Sequence, residues 1–123
     1  MDAIQKYTDL EVWQKSRELT NSIYTISKSF PEGERFGLTN QMRRCAVSVP
    51  SNIAEGCGRS SFKETVHFLY IARGSLYELE TQLYLSQDQN YISKVANQEL
   101  QNRVITCKKL LNGFINYYKS KIS

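Results

Sequence analysis

Apolar residues alternate at spacings of four and three along much of this chain, and that rhythm admits little besides helices packed side by side. Val12, Ser16, Leu19, Ile23, Ile26 and Phe30 keep it over one stretch, and Leu100, Val104, Cys107, Leu111, Phe114 and Tyr118 over another. An α-helix brings residues three and four apart onto one face, so each series is a stripe that a neighbour must cover. Breakers are scarce. The 123 residues include two prolines and six glycines, too few for the turns of a β-sandwich or barrel. A hydrophobic share of 41% with 23% charged residues suits a folded chain and excludes a disordered or collagenous one. A single domain over residues 1–123 is expected, long enough to bury a core without metal or disulfide staples.

Four segments follow. The first is predicted to start at Thr8, which has capping-box spacing to Glu11, and to stop at Pro31 and Gly33. The second runs from about Leu38 to Glu55 on Leu38, Met42, Cys45, Val49 and then Asn52 or Ile53. Pro50 inside it predicts a kink, and Gly56, Cys57 and Gly58 end it. The third opens at the capping pair Ser61 and Glu64 and buries Phe62, Val66, Leu69, Ala72, Leu76, Leu79 and Leu83. Gly74 falls mid-helix, where glycine costs about 1 kcal/mol relative to alanine, so close approach of another helix is expected there. Asp88, Gln89 and Asn90 form the next loop, and the fourth segment runs from about Lys94 to Lys119. Such helices pack most simply as an all-α, antiparallel up-down-up-down four-helix bundle.

The helices carry more apolar surface than one core needs. Tyr70, Tyr77, Tyr84 and Tyr91 repeat every seven residues beside the third stripe, and Ile105, Leu110, Ile115 and Tyr117 lie off the fourth. A monomeric bundle needs an apolar face little wider than ~100° per helix. The excess is either a generous core with tyrosines snorkelling at its rim or a subunit interface. Tyrosine-rich exposed surface marks association, so a homo-oligomer is expected, with the four tyrosines at its interface.

Catalytic and metal chemistry find no purchase. His67 is the lone histidine, and Cys45, Cys57 and Cys107 form no C-x-x-C pair, so no metal, cofactor or enzymatic activity is expected. Cys57, between two glycines, is the one thiol expected to be exposed; a nearby helix N-terminus could lower its pKa, but an inert loop cysteine is the expected reading. The turn from Gly56 to Ser61 has the makings of an anion seat, but a capped turn explains it as well. Met1 to Thr20 holds no apolar signal core, and no stretch reaches the ~18 uncharged apolar residues of a membrane span. With three scattered cysteines, a reducing cytoplasm is the expected compartment.

Charge is unevenly placed. The chain is +4 overall, yet Lys94, Arg103, Lys108, Lys109, Lys119 and Lys121 face one acid, Glu99, from Lys94 onward. All the net positive charge therefore lies in the last quarter of the sequence.

The stretch from Ser48 to Arg59, SVPSNIAEGCGR, resembles the signature of the four-helix-bundle proteins encoded in intervening sequences of bacterial large-subunit ribosomal RNA genes. Leu10-Glu11-Val12-Trp13, the run from Phe36 to Arg44, and Ile71 to Thr81 are similar to that family's other helices. The resemblance implies a bundle assembled as a ring, typically a homopentamer, with no enzymatic activity. It also implies kinship with the accessory variability determinant of diversity-generating retroelements, a basic pentamer that associates with a reverse transcriptase and nucleic acid. Within the matching motif, Asn52, Glu55 and Arg59, with Arg73 and Glu80 on the third helix's core line, are expected to form a polar network that fixes register. A ligand site is the alternative.

The expected function is that of a non-catalytic homo-oligomer binding nucleic acid, RNA foremost, through phosphates contacted by Lys94, Arg103, Lys108, Lys109, Lys119 and Lys121. The alternative is a scaffold that docks a partner enzyme such as a reverse transcriptase.

Overall fold

The structure, a computed structural model, describes residues 6–122. Four helices carry the fold: α1 (Glu11–Ser27), α2 (Leu38–Cys57), α3 (Phe62–Asp88) and α4 (Lys94–Lys119). Short 3-10 turns at Tyr7–Asp9 and Glu32–Glu34 precede α1 and α2, and no strand occurs among the described residues. Each helix packs on the next in sequence and α4 closes back on α1, while the Cα atoms of diagonal helices stay more than 8 Å apart.

Cross-helix bonds give the directions. Along α2 and α3, Met42 meets Ser86, Cys45 meets Glu78 and Gln82, Ser48 meets Ser75, and the Gly56 carbonyl meets Thr65. One number rises as the other falls, so the pair is antiparallel. The same holds for α3 and α4, where Glu80 meets Gln101 and Arg73 meets Asn112. Thr20 on Ala46 with Ser27 on Arg43 orients α1 against α2, and Ser22 on Arg103 ties α1 to α4. The result is an antiparallel four-helix bundle.

The core is what the stripes require. Leu19, Ile23, Met42, Val49, Ile53, Leu69, Leu76, Leu79, Leu83, Val104 and Leu111 are buried, as are Cys45 and Cys107. Ile115, off the expected stripe, is buried too. Burying a side chain of this size stabilises by about 1.5–3 kcal/mol relative to exposure, so these residues dominate the folding free energy.

Local starts and stops divide. Ser61 caps α3 by accepting from the Glu64 N–H at 3.2 Å, and its hydroxyl donates to the Glu64 carboxylate. Ser93 caps α4 in the same manner through Ala96. Thr8 does not cap α1: it lies in the 3-10 turn, and α1 begins at Glu11 with Leu10 at the cap and no side-chain bond. The helix α2 continues through Pro50 to Cys57. Proline has no N–H for the carbonyl four residues back. That carbonyl, Ala46, instead accepts from the Thr20 hydroxyl of α1 at 2.9 Å.

Close helix approach occurs at Gly56 and not at Gly74. A methyl at Gly56 would lie 3.1 Å from the Thr65 carbonyl and 3.2 Å from the Phe68 Cβ. At Gly74 nothing in the chain comes within 4 Å, so the expected neighbour is not another helix of the same chain.

Candidate nucleic-acid interface

The cations on α4 and just beyond it divide by what holds them. Lys108 is clamped: its ammonium pairs with Glu80 and lies 3.9 Å from the centre of the Tyr77 ring. Arg103 pairs with Glu99 at 3.6 Å and donates to the Ser22 hydroxyl. Lys121 covers the Tyr117 ring at 5.1 Å. Lys94, Lys109 and Lys119 are exposed and paired with no carboxylate among the described residues.

The tyrosine line divides as well. Tyr70, Tyr77 and Tyr84 are exposed on α3. Arg73 sits over the Tyr70 ring at 4.7 Å and Lys108 over Tyr77, whereas no cation or aromatic ring among the described residues lies against Tyr84. Tyr91 leaves the line, because α3 ends at Asp88 and Asn90 turns with φ of 64°. Its hydroxyl donates to Glu34 at 2.7 Å and its ring rests on Phe30 with centroids 5.1 Å apart. Tyr91 thus bolts the α3–α4 loop to the segment before α2 and is no longer part of an outward face. The Tyr91 hydrogen bond, with a second from the Leu38 N–H, holds the Glu34 carboxyl below its usual range, and the same carboxylate raises the Tyr91 phenol.

The five motif residues do not join into one network within the chain. Asn52 is half-buried and donates to the Ser48 carbonyl and hydroxyl at 2.8 and 2.9 Å, and Ser75 donates to the same hydroxyl. Glu55 and Arg59 form an exposed ion pair at 2.8 Å, with Arg59 over the Phe68 ring. Arg73 reaches Asn112, and Glu80 reaches Lys108. These are separate ties: within α2, between α2 and α3, and between α3 and α4.

One buried polar assembly was not foreseen. Between α3 and α4, Asn97 donates to the Gln87 side-chain Oε1 at 2.7 Å, and Gln101 donates to Asn97 at 3.1 Å and to the Glu80 backbone carbonyl at 3.0 Å. Asn97 and Gln101 are buried. The signal for Asn97 was present: it lies three residues before Leu100 and seven before Val104, on their stripe. These amides floor a groove of about 320 Å³ rimmed by Tyr84, Lys94, Gln98, Asn102 and Ile105.

Burial sets the state of the thiols. Cys57 is half-buried, not exposed as expected, and burial pushes its pKa up to about 11 rather than down as a helix end could. Burial raises Cys45 and Cys107 to about 11 too. No group of three or more His, Cys, Asp or Glu among the described residues is placed to hold a metal. No described helix is long and apolar enough to cross a membrane.

These features define an antiparallel four-helix bundle whose polar chemistry runs along helix seams. Over residues 8–113 the sequence matches the family described as 23S rRNA-intervening sequence protein, and the chain belongs to that family. Among solved structures it is similar to a protein of unknown function from the S23 ribosomal protein family of Bacteroides thetaiotaomicron VPI-5482. The two are 26% identical with a TM-score of 0.78, over 85% of this chain and 95% of that one. No curated protein matches the sequence.

Proposed function

We propose that the chain is a non-catalytic, cytoplasmic bundle that assembles with copies of itself and binds nucleic acid, RNA foremost, through phosphate contacts. The observation that carries this reading is the set of unpaired lysines on α4. Lys94, Lys109 and Lys119 span all 26 residues of α4, about 38 Å at 1.5 Å per step. Cations without partners attract a polyanion by releasing its counterions. The pairing of Lys108 and Arg103 inside the chain narrows the phosphate-binding set to those three and Lys121. In the ring of five that the family resemblance implies, +4 per chain becomes about +20.

Self-assembly is supported by the outer stripe of α3. Ile71, Gly74, Glu78, Thr81 and Leu85 follow one another at spacings of three and four, and all are exposed. Ile71 is 41% and Leu85 46% exposed, with Tyr77 at 54% on the flank. An exposed stripe with Ile71 and Leu85 at its ends and an uncrowded glycine beside Ile71 lets a helix from a second copy approach closely. Tyr70 and Tyr77 border that contact.

The test is anisotropy with a structured RNA across a salt series, with assembly mass measured on the same sample. Affinity should fall steeply with salt, and each of Lys94→Gln, Lys109→Gln and Lys119→Gln should reduce the log-log slope by about one. An intact oligomer that binds no RNA at low salt overturns the reading.

A second reading, a scaffold docking a partner enzyme, is favoured by one feature. The α1–α2 groove of about 310 Å³ presents Tyr7, Trp13, Val47 and Pro50. Binding through that apolar lining would persist in high salt.

A further inference from the structure

The α3–α4 groove carries an inference that rests on the RNA reading and sharpens it. Phosphate contacts alone carry no base information. The groove, however, holds groups suited to a base. Tyr84 is 54% exposed and, unlike Tyr70 and Tyr77, has no cation over its ring. Gln98 and Asn102, one turn apart on α4 at the rim, spend their side-chain amides on no bond within the described residues. Gln101 is only 8% exposed, and both bonds it makes come from Nε2, to Glu80 and Asn97. Its Oε1 accepts no hydrogen bond within the described residues and is open to solvent in the groove that Gln101 lines. Lys94 stands at the rim without a carboxylate, and Ile105 supplies an apolar edge.

We propose that this groove seats one unpaired nucleotide of a bound RNA: base stacked on Tyr84, edge read by the Gln98, Gln101 and Asn102 amides, phosphate met by Lys94. A flat ring with donors and acceptors on its edge satisfies the idle Gln101 oxygen and the free amides together. A water layer would leave the Tyr84 face unstacked. Single-stranded RNA offers such bases, whereas an A-form duplex keeps them stacked and paired. The groove volume, about 320 Å³, falls at the small end of ligand sites, in keeping with one base and its sugar.

The experiment compares a labelled 12-nucleotide single-stranded RNA with the same sequence as a duplex, by anisotropy at low salt. Tyr84→Ala, Gln98→Ala and Lys109→Gln are measured beside the unaltered protein. All three positions are exposed, so each variant keeps its fold, as melting verifies. Tyr84→Ala should weaken single-strand binding about 5- to 150-fold, the span of one lost base stack, and change duplex binding less than twofold. Gln98→Ala should act in the same direction by a smaller factor. Lys109→Gln should weaken both forms alike. If Tyr84→Ala leaves single-strand binding intact, or weakens both forms equally while Lys109→Gln still acts, the base seat is overturned and RNA binding stands. If the unaltered protein binds neither form, the RNA reading falls and the seat falls with it.

Discussion

The Thr20 hydroxyl stands 2.9 Å from the Ala46 carbonyl, the one acceptor in α2 that Pro50 deprives of its helical donor. The same hydroxyl also lies 2.9 Å from the Ser16 carbonyl of its own helix. A defect in one helix is thus repaired by its neighbour, and the repair fixes how α1 sits on α2. Thr20→Val should cost about 1–2 kcal/mol, the penalty for a part-buried carbonyl left without a donor. In a Pro50→Ala background, where the backbone N–H returns, the cost should fall by at least half. A double-mutant cycle from urea unfolding measures that coupling.

The Tyr91–Glu34 bond predicts a pH signature. Glu34 is lowered from 4.5, so its contribution is present above that pH and lost as pH falls through the folded value. Tyr91 is raised from 10.0, so its contribution is present below that pH and lost as pH rises through the folded value. The stability gap between the unaltered protein and Tyr91→Phe should therefore be widest across the neutral range and close at both ends. Melting temperature against pH reads it directly.

Two glycines should answer in opposite ways. Gly56→Ala drives a methyl against the Thr65 backbone and the Phe68 Cβ, neither of which can swing aside. We expect a net loss of about 1–2 kcal/mol after the helix-propensity gain. Gly74→Ala meets nothing within the chain and should stabilise the isolated subunit by up to about 1 kcal/mol. If α3 packs on a second copy, it should also weaken assembly. Thermal melts set beside sedimentation of the two variants separate these effects.

Neighbouring lysines of α4 should fail differently. Lys108→Ala strands the half-buried Glu80 carboxylate, at a cost of about 1–2 kcal/mol after allowing for solvent screening. It should leave the salt slope of RNA binding unchanged. Lys109→Ala should leave the melt unchanged and lower the slope by about one.

With all three thiols raised to about 11, the folded protein should react slowly with a thiol-disulfide reagent at pH 8. The rate should climb as pH approaches 11 and jump on unfolding in urea, since only the thiolate attacks. Fast labelling of Cys57 at pH 8 in the folded state would refute this.

Much of the fold was readable because its determinants are local. The α3 start rests on Ser61 and Glu64, which are three residues apart, and the α4 core on a stripe that needs no knowledge of its partner. The errors share a cause. Thr8 and Glu11 have the spacing of a cap, but the 3-10 turn at Tyr7–Asp9 takes Thr8 out of position. Tyr91 keeps the seven-residue rhythm, but the chain turns at Asn90 before reaching it. A glycine in sequence does not reveal what faces it, so Gly74 drew the expectation that Gly56 fulfils. The amide chain from Gln87 to Gln101 depends on the register of α4 against α3, which no window along one helix contains. For the same reason the basic run looked like one surface until Glu80 and Glu99 claimed two of its members.

The order of the helices around the bundle has a topological consequence. Three of the four seams join helices consecutive in the chain, and the α1–α4 seam alone is non-local. Because α1 and α4 run antiparallel, with Ser22 beside Arg103, the start of α1 and the end of α4 emerge at one end of the cylinder. A chain spliced there and opened between Gly58 and Ser60 would keep every seam. Its α1–α4 pair would become a hairpin, and its α2–α3 pair would become the last staves to close the barrel.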